Sequence, residues 1–573
     1  MPLAPRRSSG AFASLLGILW LGTLAPVQAA PEKDEPVAAN HGLVVAEQPL
    51  AARIGVDVLK AGGNAVDAAV ATAFALAVVH PQAGNIGGGG FAVVRLADGT
   101  VTTLDFREKA PGRAHRDMYL GDDGDVIRSL STFSHLASGV PGSVAGLCAL
   151  RDRHGSLPLE KLLEPAIALA EDGFEIDQWL GEDIAGSSRR FERYESSKKI
   201  FFKDGAPRKQ GDRLVQKDLA ETLRKIARLG PAGFYTGDVA EKIVAEMKRG
   251  GGWISLDDLK RYEAVWREPI RFDYRGYTLF SMPPPSSGGV ALAQILGMLE
   301  PFDLGGAGFG SAAAVHRMAE VLRRVYADRA TYLGDSDFFD VPIAQLVSDE
   351  YLKSRAATIS RWEATPSTEV KEGELIARES DDTTHFSIVD AEGNAVAITT
   401  TINYTFGSHI VVDGAGFLLN NEMDDFSSKP GVPNIYGLVG GEANAIQPNK
   451  RMLSSMTPTI ITQGDRLFMV VGAPGGSRII TGVAQVILNV IDHGMNVAEA
   501  VNARRIHHQW LPDELRTERF ALSPDTMRLL RGMGHDVKVR AGGIARVQAI
   551  VVDDKGVRHG ASDPRGGGAA VGY

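Results

Sequence analysis

Between Thr383 and Ile402 the chain reads TTHFSIVDAEGNAVAITTTI, two runs of alternating polarity around Ala391-Glu392-Gly393. Alternation with a period of two predicts half-buried strands, and a three-residue connection with glycine in the left-handed position closes them into a hairpin. That turn fixes the register. Asp390 falls opposite Asn394, Ile388 opposite Val396 and Phe386 opposite Ile398, so four apolar side chains share one face. On the other face Ser387 meets Ala397, His385 meets Thr399, and Thr383 meets Thr401. Immediately upstream, Glu363 to Asp382 is rich in Glu, Thr, Ser and Asp and poor in apolar residues, which predicts an exposed, mobile segment. The boundary between the two is abrupt, and it falls on a threonine with a second hydroxyl across from it.

A hydroxyl nucleophile needs a base and an oxyanion site. The chain has no GxSxG elbow, and its 13 histidines offer no compelling Ser/His/Asp order. A break between Asp382 and Thr383 would supply the base directly. A free α-amine titrates near ~8, so part of it is neutral at physiological pH, beside its own Thr hydroxyl. Taken alone, the stretch is explained better by two threonines that simply suit a strand.

The flanking sequence places this hairpin in a layered α/β protein. PLAARIGVDVLKAGGNAVDAAVATAFALAVVHP has helical periodicity with a break at Gly62-Gly63. NIGGGGFAVVRLADGTVTTLDFREKAP predicts a glycine loop and a hairpin turning at Asp98-Gly99. Residues 140–265 are mostly helical in pattern. FDYRGYTLFSMPPPSSGGVALAQILGML predicts a strand, a loop and a helix. Downstream, SSMTPTIITQGDRLFMVVGAP and VQAIVVDDKGVRHGASD are two more strand–turn–strand units, separated by one helix near 477–493. Such a pattern predicts packed α and β layers.

Several function classes are disfavoured. Sixty-one basic residues against 70 acidic ones give a net charge of −9 without blocks of like charge, so nucleic acid is not an expected partner. Arg6-Arg7, the apolar run AFASLLGILWLGTLAPV and VQA before Ala30 predict a signal peptide over residues 1–29, with export to the periplasm or the extracellular space. The apolar run is short and broken by Gly17, Gly22 and Pro26, so no stable membrane span is expected. The single cysteine, Cys148, excludes an internal disulfide and reads as a buried small hydrophobe. Gly87–Gly90 lacks the spacing of a dinucleotide loop, and His507-His508 lacks a second ligand pair, so no cofactor and no metal are expected.

DDTTHFSIVD, NNEMDDFSSKPGVPNIYGLVGGEANAIQPNKRMLSSMTPTI, GAPGGSRII and HHQWLPDEL follow one another in this order, after NIGGGGF and LDFREKAP. Together they resemble the γ-glutamyltranspeptidases (γ-glutamyltransferases), N-terminal-nucleophile hydrolases, over nearly the whole mature chain. The resemblance implies a four-layer αββα sandwich. It implies autocatalytic cleavage at Asp382-Thr383 into a large subunit, 30–382, and a small subunit, 383–573, that remain together as a heterodimer. It makes Thr383 the nucleophile, Thr401 its hydrogen-bonding partner, and Gly475 and Gly476 the oxyanion hole, a role that a glycine turn at a helix start suits. By the same resemblance Arg107, Ser454 and Ser455 take the substrate's α-carboxylate, while Asn403, Glu422 and Asp425 take its α-ammonium. Tyr436 gates a lid over Lys429–Gly441. The implied substrates are glutathione and other γ-glutamyl compounds, with water, amino acids or dipeptides as acceptors. Two rivals stand beside this expectation: a cephalosporin acylase-like amidase of the same family, and an exported binding protein that never processes. Asp381 and Asp382, two carboxylates beside the expected scissile bond, have no assigned effect.

Overall fold

The computed structural model describes residues 34–370, 383–429 and 440–573. The leader (1–29), Asp382 and Tyr436 lie outside the described residues. Two seven-stranded antiparallel sheets face each other. The first runs Ala569–Gly572, Leu43–Ala46, Thr384–Val389, Ala395–Thr401, Gly89–Arg95, Val101–Asp105, Val265–Arg267. The second runs Val37–Ala39, Arg558–Ser562, Gln548–Val552, Arg466–Gly472, Thr459–Gln463, Tyr277–Ser281, Ile270–Tyr274. Leu43, Val45, Val93, Ala397, Ile460, Val470 and Ile550 fill the space between them.

Helices cover the outer faces. The apolar face expected of the hairpin, Phe386, Ile388, Val396 and Ile398, packs with helices Pro49–Lys60 and Ala65–Val79 in one core. The second of these helices is buried along its whole length, because it is apolar on every side. The Gly62-Gly63 break separates the two, and Asn64 with Asp67 forms a capping box that starts the second. Across the molecule Gly288–Leu299, Ala312–Tyr332 and Arg478–Ile491 pack on the second sheet. The order of layers is therefore αββα, as expected.

Three expectations need correction. The single strand read in FDYRGYTLFS is a hairpin, Ile270–Tyr274 with Tyr277–Ser281. Arg275 and Gly276 both take positive φ, 51° and 82°, which makes a tight two-residue turn that an Arg-Gly pair does not advertise. Between the last two strand units there is more than one helix: Val497–Asn502, Pro524–Gly532 and a three-stranded sheet follow Arg478–Ile491. Finally, the start of the segment expected to be mobile is tethered. Ser367 and Val370 are buried. The Ser367 amide donates to Asp513 at 2.7 Å, Trp510 Nε1 donates to the Ser367 carbonyl at 2.9 Å, and the Thr365 amide donates to Glu320 at 3.1 Å. Polar composition describes how a segment is solvated when free and says nothing about polar partners waiting elsewhere.

Candidate active site

The hairpin has the expected register. Thr384 pairs with Thr400, Phe386 with Ile398 and Ile388 with Val396. The Asp390 amide reaches Asn394 O at 3.1 Å, and Gly393 takes φ 89°. Thr383 stands one residue before the ladder, with its Oγ1 3.4 Å from Thr401 Oγ1. Both residues are buried. Thr401 Oγ1 also accepts the Asn403 amide at 2.8 Å. Asn403 holds φ 75°, a left-handed conformation that few side chains adopt, and its Nδ2 donates to Asn421 O at 2.9 Å.

The glycine run explains how this strand is approached so closely. Gly89 pairs with Thr401 and Gly90 with Thr400. A Cβ at Gly88 would lie 2.0 Å from Thr401 O, and one at Gly87 would lie 2.1 Å from Leu418 O. Asn85 completes the arrangement: its Nδ2 donates to Thr401 O and its Oδ1 accepts the Gly88 amide, both at 2.9 Å. The four glycines thus serve backbone packing behind Thr401.

Arg107 follows strand Val101–Asp105, and its amide is held by the Asp105 carboxylate at 2.9 Å. Its guanidinium donates to Glu422, to Asp425 at 2.5 Å, and to the carbonyls of Met452 and Leu453 at 3.3 Å each. Glu422 and Asp425 share one short 3₁₀ turn, Glu422–Asp425, so both reach the same cation. Glu108, also buried, lies 3.7 Å from Arg107. Burial opposes the charge of Arg107, but Glu422, Asp425 and Glu108 outweigh it and hold the guanidinium more firmly protonated than usual. The carboxylates feel the reverse. Burial raises Glu108 to about 7 against the pull of Arg107, and raises Glu422 and Asp425 above the ordinary range. Two buried acids, Glu108 and Glu422, and the part-exposed Asp425 thus crowd one guanidinium.

The expected residues converge on one cavity. Arg107, Thr383, Thr401, Asn403, Glu422, Asp425, Ser454, Ser455 and Gly476 line it. Gly475 does not; it stands just behind, in the turn that leads into helix Arg478–Ile491. Gly475 and Gly476 take φ 136° and 55°, which only glycine adopts easily, and their amides donate to no acceptor among the described residues. The Ser454 amide is fixed by Pro285 O at 2.9 Å. The sequence reading missed Arg329, Met456, Ser477 and Ile479, which line the same cavity. Arg329 sits on helix Ala312–Tyr332 among Arg323, Arg324 and Asp328, and nothing in that run marks one arginine as facing a site.

The Gamma-glutamyltranspeptidase family model matches residues 51–573. The chain belongs to the γ-glutamyltranspeptidase family. It is 53% identical over 543 residues to the glutathione hydrolase proenzyme of Escherichia coli K12, spanning 94% of this chain and 93% of that protein. It is 38% identical over 544 residues to the acylase ACY 1 proenzyme of Pseudomonas sp. V22, spanning 94% of each. The crystal structure of cephalosporin acylase from Bacillus halodurans superposes with a TM-score of 0.85 at 29% identity, over 96% of this chain and 99% of that one. The αββα sandwich of this chain is that of the N-terminal-nucleophile hydrolases.

Other candidate groups lie apart from the family site. Cys148 is buried and its thiol is pushed up to about 12 by burial, which leaves it unreactive. His507 bonds Thr481 and Gln509 at 2.9 and 2.8 Å, and His508 faces Asp513 at 3.1 Å; both are buried and structural. His316, Glu320 and His535 bring three potential ligand atoms within 4.8 Å of one another. Glu320 is already engaged by Arg323, Arg324 and Thr365, and His316 contacts His535 at 2.8 Å and the Ser360 carbonyl at 2.9 Å. That cluster is an ion-pair network under the tethered Thr365–Val370 segment. Among the described residues no helix is long and apolar enough to cross a membrane.

Proposed function

We infer that the chain is a γ-glutamyltransferase and glutathione hydrolase that cleaves itself between Asp382 and Thr383 and then uses Thr383 as its nucleophile. The observation that carries this reading is the single buried cavity in which the Thr383–Thr401 hydroxyl pair meets a guanidinium flanked by two carboxylates. The neutral α-amine of Thr383 accepts its own hydroxyl proton, and Oγ1 attacks the γ-carbonyl of glutathione or a related γ-glutamyl amide. The amides of Gly475 and Gly476 hold the oxyanion, at the start of a helix whose dipole favours negative charge. The proton passes to the leaving amine as the C–N bond breaks, leaving a γ-glutamyl ester on Thr383. Water, or the amine of an amino acid or dipeptide, then attacks that ester.

Recognition follows from the charges. Arg107 is bonded to Glu422 and Asp425. A substrate with both an α-carboxylate and an α-ammonium can enter between them. The carboxylate takes Arg107 with the Ser454 and Ser455 hydroxyls, and the ammonium takes Asn403, Glu422 and Asp425. A glutaryl group has no ammonium and would leave the buried Glu422 and the part-exposed Asp425 without their cation, which argues against the acylase reading. Residues 1–29 act as an export signal, and 30–382 and 383–573 remain associated after cleavage.

Thr383→Ala is expected to give one uncut band on a denaturing gel and no turnover; two bands from this variant would overturn the assignment. Comparison of γ-glutamyl- with glutaryl-p-nitroanilide separates the two activities. A preference for glutaryl would move the chain to the acylase side of the family.

A further inference from the structure

Arg329 lines the same cavity as Thr383 and Arg107 and is 3% exposed. Its Nε donates to Ser287 Oγ at 2.9 Å, and its Nη2 donates to Ser455 Oγ at 3.1 Å. Among the described residues Nη1 has no acceptor and no carboxylate oxygen pairs with the guanidinium within 4 Å. Glu422 and Asp425, the carboxylates of the cavity, are bonded to Arg107 instead. Burial lowers Arg329 to about 10, partly offset by Tyr326 and Asp425, so it is still charged at neutral pH. A buried cation hydrogen-bonded only to hydroxyl groups is costly, and a perturbed cation in a cavity marks a candidate site for an incoming counter-charge.

We propose that Arg329 is the second cation for the α-carboxylate of the γ-glutamyl group, acting on it through the Ser455 hydroxyl and through its own charge. It is a positioning residue for the substrate, and the proposal rests on the function inferred above. The hydrogen-bond direction supports it. A guanidinium can only donate, so Ser455 Oγ accepts from Arg329, and its own hydrogen is left to be donated into the cavity. A hydroxyl that accepts from a cation is also the stronger donor. Ser287 holds the geometry from behind: its Oγ and its amide donate to Ser454 O at 2.6 and 2.8 Å, which locks the Ser454-Ser455 backbone to Arg329.

The placement of charge points the same way. Arg107 is shared by Glu422, Asp425 and Glu108, whereas Arg329 lines the same cavity with no carboxylate bonded to it among the described residues. An α-carboxylate gains from that second cation, and an amine-only acyl group does not.

The test uses the self-cleaved enzyme and two anilides, γ-glutamyl-p-nitroanilide and 4-aminobutyryl-p-nitroanilide, which differ only in the α-carboxylate. Arg329→Gln is expected to raise KM for the γ-glutamyl substrate about 10-fold or more, the usual scale for losing a charge-assisted contact, with kcat within about threefold. Arg329→Lys should recover part of that loss. For the 4-aminobutyryl substrate kcat/KM should change less than about threefold in both variants. Equal losses on both substrates, or no change on either, would overturn the proposal and leave a mere brace for the Ser287 loop. Should Arg329→Gln fail to cleave itself, Arg329→Lys decides by the same ratio. A wild-type enzyme without γ-glutamyl turnover would instead defeat the functional reading, and this proposal with it.

Discussion

Thr401 Oγ1 accepts the Asn403 amide at 2.8 Å and the Thr383 hydroxyl at 3.4 Å. The separation is long for a hydroxyl pair and can tighten when substrate brings Thr383 to reactivity. That contact orients the attacking oxygen. Thr401→Val keeps the shape and removes the hydroxyl. We expect kcat to fall about 100-fold, the scale of losing one preorganised hydrogen bond at the reacting atoms, with KM within about twofold. Steady-state kinetics on γ-glutamyl-p-nitroanilide checks this. An unchanged kcat would reduce Thr401 to a strand residue. The pairing of Thr383 with Thr401 was legible in the sequence because both lie in one hairpin, where turn length and the period of two leave a single register.

At the scale of elements, the loop Gly87–Gly90 separates two uses of glycine. Gly88 does not have positive φ, but a Cβ there would sit 2.0 Å from the Thr401 carbonyl. Gly99 takes φ 90° in an open turn, with nothing within 4 Å of its Cβ position. The first glycine is needed for space and the second for conformation. Gly88→Ala must displace a central strand, at a cost of roughly 3 kcal/mol or more, and it moves Thr401 with it. Gly99→Ala should cost only about 1 kcal/mol, with activity retained. Thermal unfolding and turnover of the two variants decide between these roles, and equal destabilisation would refute the close-approach argument. The run of four glycines was visible in the sequence, but the carbonyls that Gly87, Gly88 and Gly90 clear belong to residues more than 300 positions away, so its purpose was not.

In the whole molecule the expected cut at Asp382-Thr383 does not divide the fold. Five strand pairs cross it. Leu43–Ala46 lies between Thr384–Val389 and Ala569–Gly572, and Ala395–Thr401 pairs with Gly89–Arg95. In the other sheet Thr459–Gln463 pairs with Tyr277–Ser281. All three apolar cores that hold the sheets and their helices draw residues from both sides of position 383. The two pieces are therefore expected to co-elute in size-exclusion chromatography after cleavage and to unfold in one calorimetric transition. Separation without denaturant, or two resolved transitions, would count against a shared core.

By itself the sequence determined what short-range physics determines: the hairpin register, the helix break before Asn64, the layered α/β class, and a boundary of composition at Thr383. Family motifs added Arg107, Asn403, Glu422, Asp425 and the serine pair. Only the tertiary structure decided that Arg107 rests on the carboxylates expected to bind an ammonium, that Glu108 joins them, and that Arg329 reaches Ser455 from a distant helix. It also tethered Thr365–Val370 through Glu320 and Asp513, against their polar composition. The reason is range. Turn geometry and periodicity act over a few residues, whereas burial, and with it the charge state of a carboxylate or guanidinium, is set by whatever the fold packs around it.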